Sequence, residues 1–494
     1  MHDILIIGAG VTGACIAREL SKYDLDILVL EKNNDVADET TKANSAIIHA
    51  GFDAREGTLM AELNVLGNSM FDKLSKELDF PFIRNGSLVL AFSDEDMESI
   101  KVLKNRGDKN GVSDLSILSK EEVLKLEPDL NNDIKGALYA KTGGIVGPWE
   151  MTISLFENAV DNGVTLLLNN EIVNISREEN YFLVFTKKSQ YKSKIIINCA
   201  GINADLIQNM LAEPSYEIHP RKGEYFVMSK DEGTKFRHTI FQPPTKVGKG
   251  VLITPTVHGN LLIGPDAESI HEKEDKSTSR VRLELIKATA AKSSQSINYL
   301  EQIRQFSGLR AESDKDDFII GENKKIHGFI DVAGIKSPGL SAAPAIALKV
   351  KDILAEKIIL KEKENFKPDI EKHIIFDKLS YEEKNKLIAR NPKYGHIICK
   401  CENVTEGEVI DAIRRKVGAR TVDGIKRRCR PGAGLCQGTF CGPKIQEILA
   451  SELALELNEI TLDSDSSYIL TKKTKGDKYV LQNRKRKFYR FLRK

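Results

Sequence analysis

The first thirty-two residues constrain this chain more than any other stretch. A short apolar run, Ile4-Leu5-Ile6-Ile7, feeds directly into Gly8-x-Gly10-x-x-Gly13. Apolar positions then recur at helical spacing through Ala14, Ile16, Ala17 and Leu20, and a second apolar run, Ile27-Leu28-Val29-Leu30, ends on Glu31. Strand, tight turn, helix, strand and acid in that order form the dinucleotide-binding fingerprint in its required context. Gly8 permits the turn, Gly10 lets backbone approach a pyrophosphate, and Gly13 lets helix and strand pack closely. Phosphates would rest on the N–H groups of the first helical turn, around Val11 and Thr12, where the helix dipole is positive. Glu31, followed by Lys32, would accept the ribose hydroxyls. The competing reading is a glycine-rich turn in an ordinary α/β domain, and the flanking strands and acid weigh against it.

The length, 494 residues, allows two or three domains. A hydrophobic fraction of 41% and a charged fraction of 29% fit a soluble globular protein, and a net charge of +2 predicts no polyanion or nucleic-acid affinity. The first strand starts at residue 3, leaving no room for a signal peptide, and apolar runs such as Ile195-Ile196-Ile197 are too short to span a bilayer. Of seven cysteines, Cys15 and Cys199 fall in apparent core and five crowd between 399 and 441. In a reducing cytoplasm, the expected location, that crowding reads as metal or cluster ligation.

A polar loop, Asp38 to Ser45, leads to Ala46-Ile47-Ile48-His49-Ala50-Gly51. His49 reads equally as a satisfied core histidine or as a group aimed at a reactive ring. Residues 58–78 are expected to form an amphipathic helix with Leu59, Leu63, Leu66, Met70 and Leu74 on its buried face. A helix is expected at about 150–162, and strands at 163–168 and 171–175. The run Ile195 to Asn198 ends in Cys199-Ala200-Gly201, small residues suited to a strand end that abuts a ligand. Residues 216–265 look β-rich, with Pro255 and Pro265 ending strands and favouring sheet edges. Ser307-Gly308-Leu309-Arg310 places an arginine after a small-residue turn; a surface Arg–Glu pair is the commoner fate of such a residue. Gly334-Ile335-Lys336-Ser337-Pro338-Gly339-Leu340-Ser341 leads into a helix and is compatible with a simple capped turn or with a helix N-terminus facing a flavin ring.

A charged linker, about 361–394, precedes Cys399-x-Cys401 and Cys436-x4-Cys441. Two close thiolate pairs across about thirty-five residues can ligate two bridged irons. A four-thiolate zinc site is the competing reading, although the C-x-C and C-x4-C spacings depart from zinc-knuckle habits. Cys429 is left over. The Lys- and Arg-rich tail, set at 456–494, suits an anionic membrane face or an acidic partner protein, with a solvated terminus the plainer alternative.

On these residues the chain resembles the FAD-dependent oxidoreductases of the D-amino-acid-oxidase-like class, over about residues 1–450. It is most similar to the anaerobic glycerol-3-phosphate dehydrogenase type with a fused BFD-like (bacterioferritin-associated-ferredoxin-like) domain. The stretch from His49 to Gly57, with Ile335 to Gly339, also resembles L-2-hydroxyglutarate oxidases. Glycerol-3-phosphate dehydrogenases tend to carry an arginine shortly after His-x-Gly, whereas here Arg55 is displaced behind Phe52-Asp53-Ala54.

The resemblance implies an α/β Rossmann-like FAD domain of the glutathione-reductase-2/DAAO-like kind from about 1–75, 140–205 and 305–360. An inserted β-rich substrate domain would come from 76–139 and 206–304, and a small helical [2Fe–2S] domain from 395–455. It implies that His49 lies beside the flavin and moves the substrate proton, and that Arg310 grips an anionic group, with Arg55, Arg221 and Tyr225 nearby. Implied FAD contacts, beyond the fingerprint, are Thr41, Asn44, Ser45, Val173, Ala200, Gly201, Gly308, Gly334, Pro338, Gly339, Leu340 and Ser341. Cys399, Cys401, Cys436 and Cys441 would hold the cluster. The implied reaction oxidises an anionic secondary alcohol, glycerol 3-phosphate first and L-2-hydroxyglutarate second. Electrons would pass through the cluster to a second redox subunit, a flavoprotein or a quinone-linked one. An electron-carrier subunit without its own small substrate is the contrasting class, and the long β-rich insertion argues against it.

Overall fold

The computed structural model describes residues 1–243 and 250–472. The chain divides into two compact units, Met1–His373 and Ile374–Lys494.

In the first unit, the opening strand, His2–Ile7, lies between two parallel neighbours, Ile27–Leu30 and Gln190–Asn198. Thr165–Leu167 extends the parallel set beyond Ile27–Leu30, and Phe329–Ala333 runs parallel to the end of Gln190–Asn198. Antiparallel strands Ile172–Arg177, Phe182–Thr186 and Ile319–Glu322 complete eight. Ile4, Leu5 and Ile6 have no exposed surface, as expected of a strand covered on both faces. The helix Val11–Leu20 packs over this sheet and against the helices Pro148–Asp161 and Gly339–Ala355.

The second sheet has nine strands, in the order Glu268–Ser269, Ile218–Met228, Leu261–Gly264, Leu252–Pro255, Thr239–Phe241, Ser87–Ala91, Gly136–Ala140 and Leu115–Ser119, with Gln302–Ser313 also paired to Ile218–Met228. Two expectations change here. The segment 305–313, assigned from sequence to the FAD domain, belongs to this sheet, because its register with Ile218–Met228 runs unbroken from Ile218↔Ser313 to Val227↔Arg304. Pro255 and the residue before Pro265 end strands as expected, yet both strands are interior. A proline at a strand terminus leaves no ladder donor missing, so it needs no edge.

The helix expected at 58–78 spans Leu59–Glu77. Thr58 Oγ1 accepts from Ala61 N, and the Asp317 carboxylate accepts from Leu59 N and Met60 N at 2.7 and 3.0 Å, so a distant loop satisfies the first N–H groups. Its buried face differs from the expected apolar stripe: Leu66 is exposed, whereas Asn64, Gly67 and Asn68 are buried. The cause is close packing on the helix Gly339–Ala355, where a Cβ on Gly67 would fall 2.2 Å from the Ser341 carbonyl oxygen. Gly67→Ala is therefore expected to destabilise the protein by about 1–2 kcal/mol in chemical denaturation, overpacking outweighing the gain in helix propensity.

The expected linker 361–394 is not free. Residues 361–368 are strapped onto the first unit: Asp24 N donates to Lys361 O, Lys363 N to Lys22 O, and Arg18 and Asn158 side chains to Pro368 O. The helix Tyr381–Arg390 belongs to the second unit, with the helices Glu406–Arg414, Val422–Cys429 and Gly442–Leu453. That unit has its own core, including Val409, Ile425, Ile445 and Leu449. Residues 456–472, placed in the tail from sequence, fold onto this core: Val422 N donates to Thr461 O, and Arg427 pairs with Asp463 at 2.7 Å. The rest of the expected basic tail, 473–494, lies outside the described residues.

Candidate active site

The carboxyl ends of the parallel strands open into a cavity of ≈ 440 Å³. Gly8, at φ +102°, turns the chain so closely that a Cβ there would lie 2.5 Å from Cys199 O. A Cβ on Gly13 would lie 2.1 Å from Gly8 O, so Gly13 serves helix–strand packing and is not part of the cavity wall. Gly10, Val11 and Thr12 are in the wall, and the helix they open has a glycine at its N-cap, which offers no capping side chain, and no acid in its first turn. That terminus is therefore an open, electropositive seat for an anion. Thr41 Oγ1 accepts from Val11 N at 3.1 Å and ties the 38–45 loop to the fingerprint.

Glu31 lies in the same wall with Lys32. Its two carboxylate oxygens accept from Ala9 N at 2.7 Å and Asn33 N at 2.9 Å. Burial pushes its carboxyl up to about 7, against the downward pull of those two bonds. A ribose would bind the ionised form, which accepts hydroxyl protons. Dinucleotide affinity of the apoprotein should then be flat above about pH 7 and weaken up to about tenfold per unit below it, as protonated Glu31 must first release its proton. Glu31→Gln should remove that slope in a flavin-binding titration across pH 5–8.

Asn44, Ser45, Ala200, Gly201, Gly308, Pro338, Gly339 and Leu340 also line the cavity. A Cβ on Gly308 would meet Ala43 O at 2.0 Å, so the 38–45 loop lies pressed against the strand Gln302–Ser313. Asn44 braces that loop, donating to Thr41 O and accepting from Ala46 N. The N-terminus of the helix Gly339–Ala355 faces the cavity, again with no side-chain cap and no acid in its first turn.

Besides Gly13, four residues expected at the site, Val173, Arg55, Arg221 and Gly334, line no part of this cavity, and a fifth, Ser341, acts from behind it. Val173 is half exposed, since the strand Ile172–Arg177 turns Ile172 inward instead. Arg55 is exposed in the turn before Thr58. Arg221 lies directly across from Arg310 but pairs with Glu312 at 3.5 Å. Gly334, at φ +66°, packs on Ser313 and shapes the loop entry. Ser341 acts from behind: its Oγ accepts from His49 N at 2.7 Å.

His49, Tyr225 and Arg310 are brought into one wall from three distant parts of the chain. The His49 ring stacks on Phe241 with centroids 5.8 Å apart, and Nε2 is 3.2 Å from Ser337 Oγ. Asn68 Nδ2 donates to His49 O at 3.0 Å, so the backbone of His49 is held on both sides. Tyr225 stacks flat on Phe306 and its hydroxyl is 3.1 Å from Ser45 Oγ. Arg310 Nη2 donates to Asp266 O at 3.3 Å across Gly223, where a Cβ would lie 2.7 Å from that nitrogen. Lys336 also lines the cavity, paired with Glu312 at 2.8 Å. The sequence reading did not single out Asn68, Gly223 or Lys336. A buried asparagine inside an apolar helical stripe was the one local signal available for Asn68.

In the second unit, Cys399 and Cys441 are buried together and Cys401 is exposed beside Cys436, their Sγ atoms 3.7 Å apart. The backbone amides of Gly432, Glu402 and Cys401 point at the Cys399 sulfur, and those of Phe440 and Gly438 at Cys436. The hydrogen bond from Cys441, with those amides, pulls the Cys399 thiol down to about 6. Gly432 and Gly438, at φ +85° and +88°, let the loop wrap this closely. Among the described residues no three ligand groups converge on one metal ion. Two thiolate pairs ringed by amides fit a two-iron cluster, in which each iron takes two thiolates. Cys429 stands apart, its sulfur 3.6 Å from Ile425 O and its thiol pushed up by burial.

Comparison with known proteins agrees with this geometry. Residues 3–353 match the FAD dependent oxidoreductase family (DAO), and residues 397–451 match the BFD-like [2Fe-2S] binding domain. The glycerol 3-phosphate dehydrogenase of Caloramator mitchellensis is 53% identical over 480 residues, covering 97% of this chain and 100% of that protein. The glycerol 3-phosphate oxidase of Mycoplasma genitalium is 34% identical over 376 residues, 74% of this chain and 97% of that protein. The structure of dithionite-reduced L-alpha-glycerophosphate oxidase from Mycoplasma pneumoniae, with FAD bound, superposes with a TM-score of 0.73 at 33% identity, covering 76% of this chain and 99% of that one. The chain thus belongs to the FAD-dependent oxidoreductases, among the relatives of glycerol 3-phosphate dehydrogenase, with FAD as the cofactor of its first unit and a [2Fe–2S] cluster as that of its second.

Proposed function

We propose that this protein oxidises glycerol 3-phosphate to dihydroxyacetone phosphate and passes the electrons to a protein acceptor. The observation that carries the reading is the meeting of His49 and Arg310 in one cavity wall beside the uncapped N-terminus at Gly339. Arg310 presents a guanidinium to the substrate phosphate, its position set by Asp266 O and by the space over Gly223. Lys336 adds a second cation to the same wall. His49 takes the proton of the C2 hydroxyl, its backbone held by Ser341 and Asn68 so that the ring cannot drift from the carbinol. FAD, when bound, supplies the acceptor for the C2 hydride, and the cluster supplies one-electron steps.

The matched span supports a dehydrogenase rather than an oxidase. The oxidase relative is spent, to 97% of its length, in matching 74% of this chain, whereas the dehydrogenase relative accounts for 97% of it. An enzyme that hands electrons to oxygen needs no cluster. The acceptor, in this reading, is a flavoprotein or a quinone-linked protein. No described helix is long and apolar enough to cross a membrane. Seven free cysteines suit a reducing compartment, and the cytoplasm is the proposed location.

An anaerobic absorbance titration tests the substrate. Glycerol 3-phosphate should bleach the flavin band and then reduce the cluster. Bleaching by L-2-hydroxyglutarate alone would transfer the assignment to that acid, and bleaching by neither would leave an electron carrier.

A further inference from the structure

We propose that the lip of the cysteine module formed by Leu435 and Phe440, with Lys400 and Lys444, is the docking surface for a one-electron acceptor protein with an acidic face. The inference rests on the reading that electrons leave through the cluster, and it names the place and the chemistry of their exit.

Of the four ligand cysteines, Cys399 and Cys441 are buried, whereas Cys401 is exposed with Cys436 beside it. The cluster edge nearest solvent is therefore the Cys401–Cys436 edge. Leu435 immediately precedes Cys436 and is 69% exposed; Phe440, four residues on, is 79% exposed. The module is not short of core to hold them, since Val409, Ile425, Ile445 and Leu449 are buried to 1% or less. Two large apolar side chains left in water on either side of a ligand cysteine suit a small interface with an apolar centre.

Charge identifies the occupant. Three cations of this unit are matched within it: Arg430 by Glu402 at 2.9 Å, Lys426 by Asp423 at 2.7 Å, and Arg427 by Asp463 at 2.7 Å. Lys400, between the first two ligand cysteines, and Lys444, in the first turn after Cys441, are both exposed and have no hydrogen-bond or ion-pair partner among the described residues. Glu447, one turn beyond Lys444, is the exposed carboxylate of that helix nearest the lip. Unmatched cations on the rim of an apolar patch steer a partner of opposite charge and raise its association rate at low salt. Each encounter moves one electron from the reduced cluster to the acceptor, with no atom or proton transferred, so two encounters discharge one substrate oxidation.

Plastocyanin and cytochrome c are suitable probes, as both are strongly oxidising one-electron proteins but the first has an acidic patch and the second a basic face. With the full-length holoprotein and no substrate, labelled plastocyanin should show a salt-sensitive rise in fluorescence anisotropy that cytochrome c does not. The double variant Lys400→Glu, Lys444→Glu should weaken plastocyanin binding at least about tenfold and reverse the preference between the two probes. Leu435→Ala should weaken plastocyanin binding, while flavin bleaching and ferricyanide reduction stay at wild-type rates. A preference for cytochrome c in the wild type, or plastocyanin binding indifferent to all three substitutions, would overturn the docking proposal. Plastocyanin reduction that persists in Cys436→Ser would overturn instead the reading that electrons leave through the cluster.

Discussion

Cys436→Ser is expected to leave a protein whose flavin is still bleached by glycerol 3-phosphate but whose electrons reach no protein acceptor. The substrate cavity and its lining residues lie wholly within the first unit, whereas the substituted thiol belongs to the second. In the second unit Cys436 lies beside the exposed Cys401, and a serine oxygen in its place would be a poor iron ligand beside three thiolates. Iron content should fall from two per chain towards none, and the electron-paramagnetic signal of the reduced cluster should vanish. The second unit should also lose thermal stability, because binding free energy of a ligated metal centre is folding free energy. Single-turnover absorbance separates the outcomes: normal bleaching with blocked onward transfer is the expected result. Loss of bleaching would mean that cluster and substrate oxidation are not separable in this way.

Arg310→Ala is expected to raise KM for glycerol 3-phosphate steeply and to lower kcat less. A hydrogen bond to a charged group contributes about 1.5–3 kcal/mol, which corresponds to roughly 10- to 150-fold in kcat/KM. The substitution also frees Asp266 O of its donor and empties the space above Gly223, so Arg310→Lys is the better probe of charge alone. Lys should recover only part of the loss, since an ammonium cannot present the planar fork of a guanidinium. His49→Ala should show the opposite split, with kcat falling more than KM rises, because the role proposed for it is to move the hydroxyl proton. Equal and minor effects of both substitutions in steady-state assays would remove these residues from the site.

The fingerprint from Ile4 to Glu31 was legible because most of it is local. The strand, turn and helix follow one another in the chain, and Gly13 answers to Gly8 O five residues before it, although the space that Gly8 leaves for Cys199 O is set by a distant strand. The cysteine module was legible for a related reason. Close thiolate spacing is a chemical signature before it is a structural one, and the match of residues 397–451 to the BFD-like [2Fe-2S] binding domain then decided between iron and zinc. Reading failed where a residue's surroundings come from far along the chain. Val173 had the right strand but the wrong face, and a strand's alternation moves a side chain to the opposite side with a slip of one residue. Arg221 had the right strand and lies opposite Arg310, but Glu312 on the neighbouring strand holds it. The segment 305–313, read from sequence as part of the FAD domain, pairs in the second sheet, and hydrogen-bonding partners so far back along the chain leave no periodicity of their own.

The sequence by itself therefore determined that this chain binds a dinucleotide through its first thirty-two residues and a sulfur-ligated cluster near its end. Short-range sterics and ligand chemistry are written in consecutive residues. Only the tertiary structure decided which charged groups line the cavity. His49 gains its place from Ser341 and Asn68, and Arg310 its place from Gly223 and Asp266. Those partners lie from 19 to 292 residues away along the chain, and only packing of two sheets and two helices brings them within hydrogen-bonding distance.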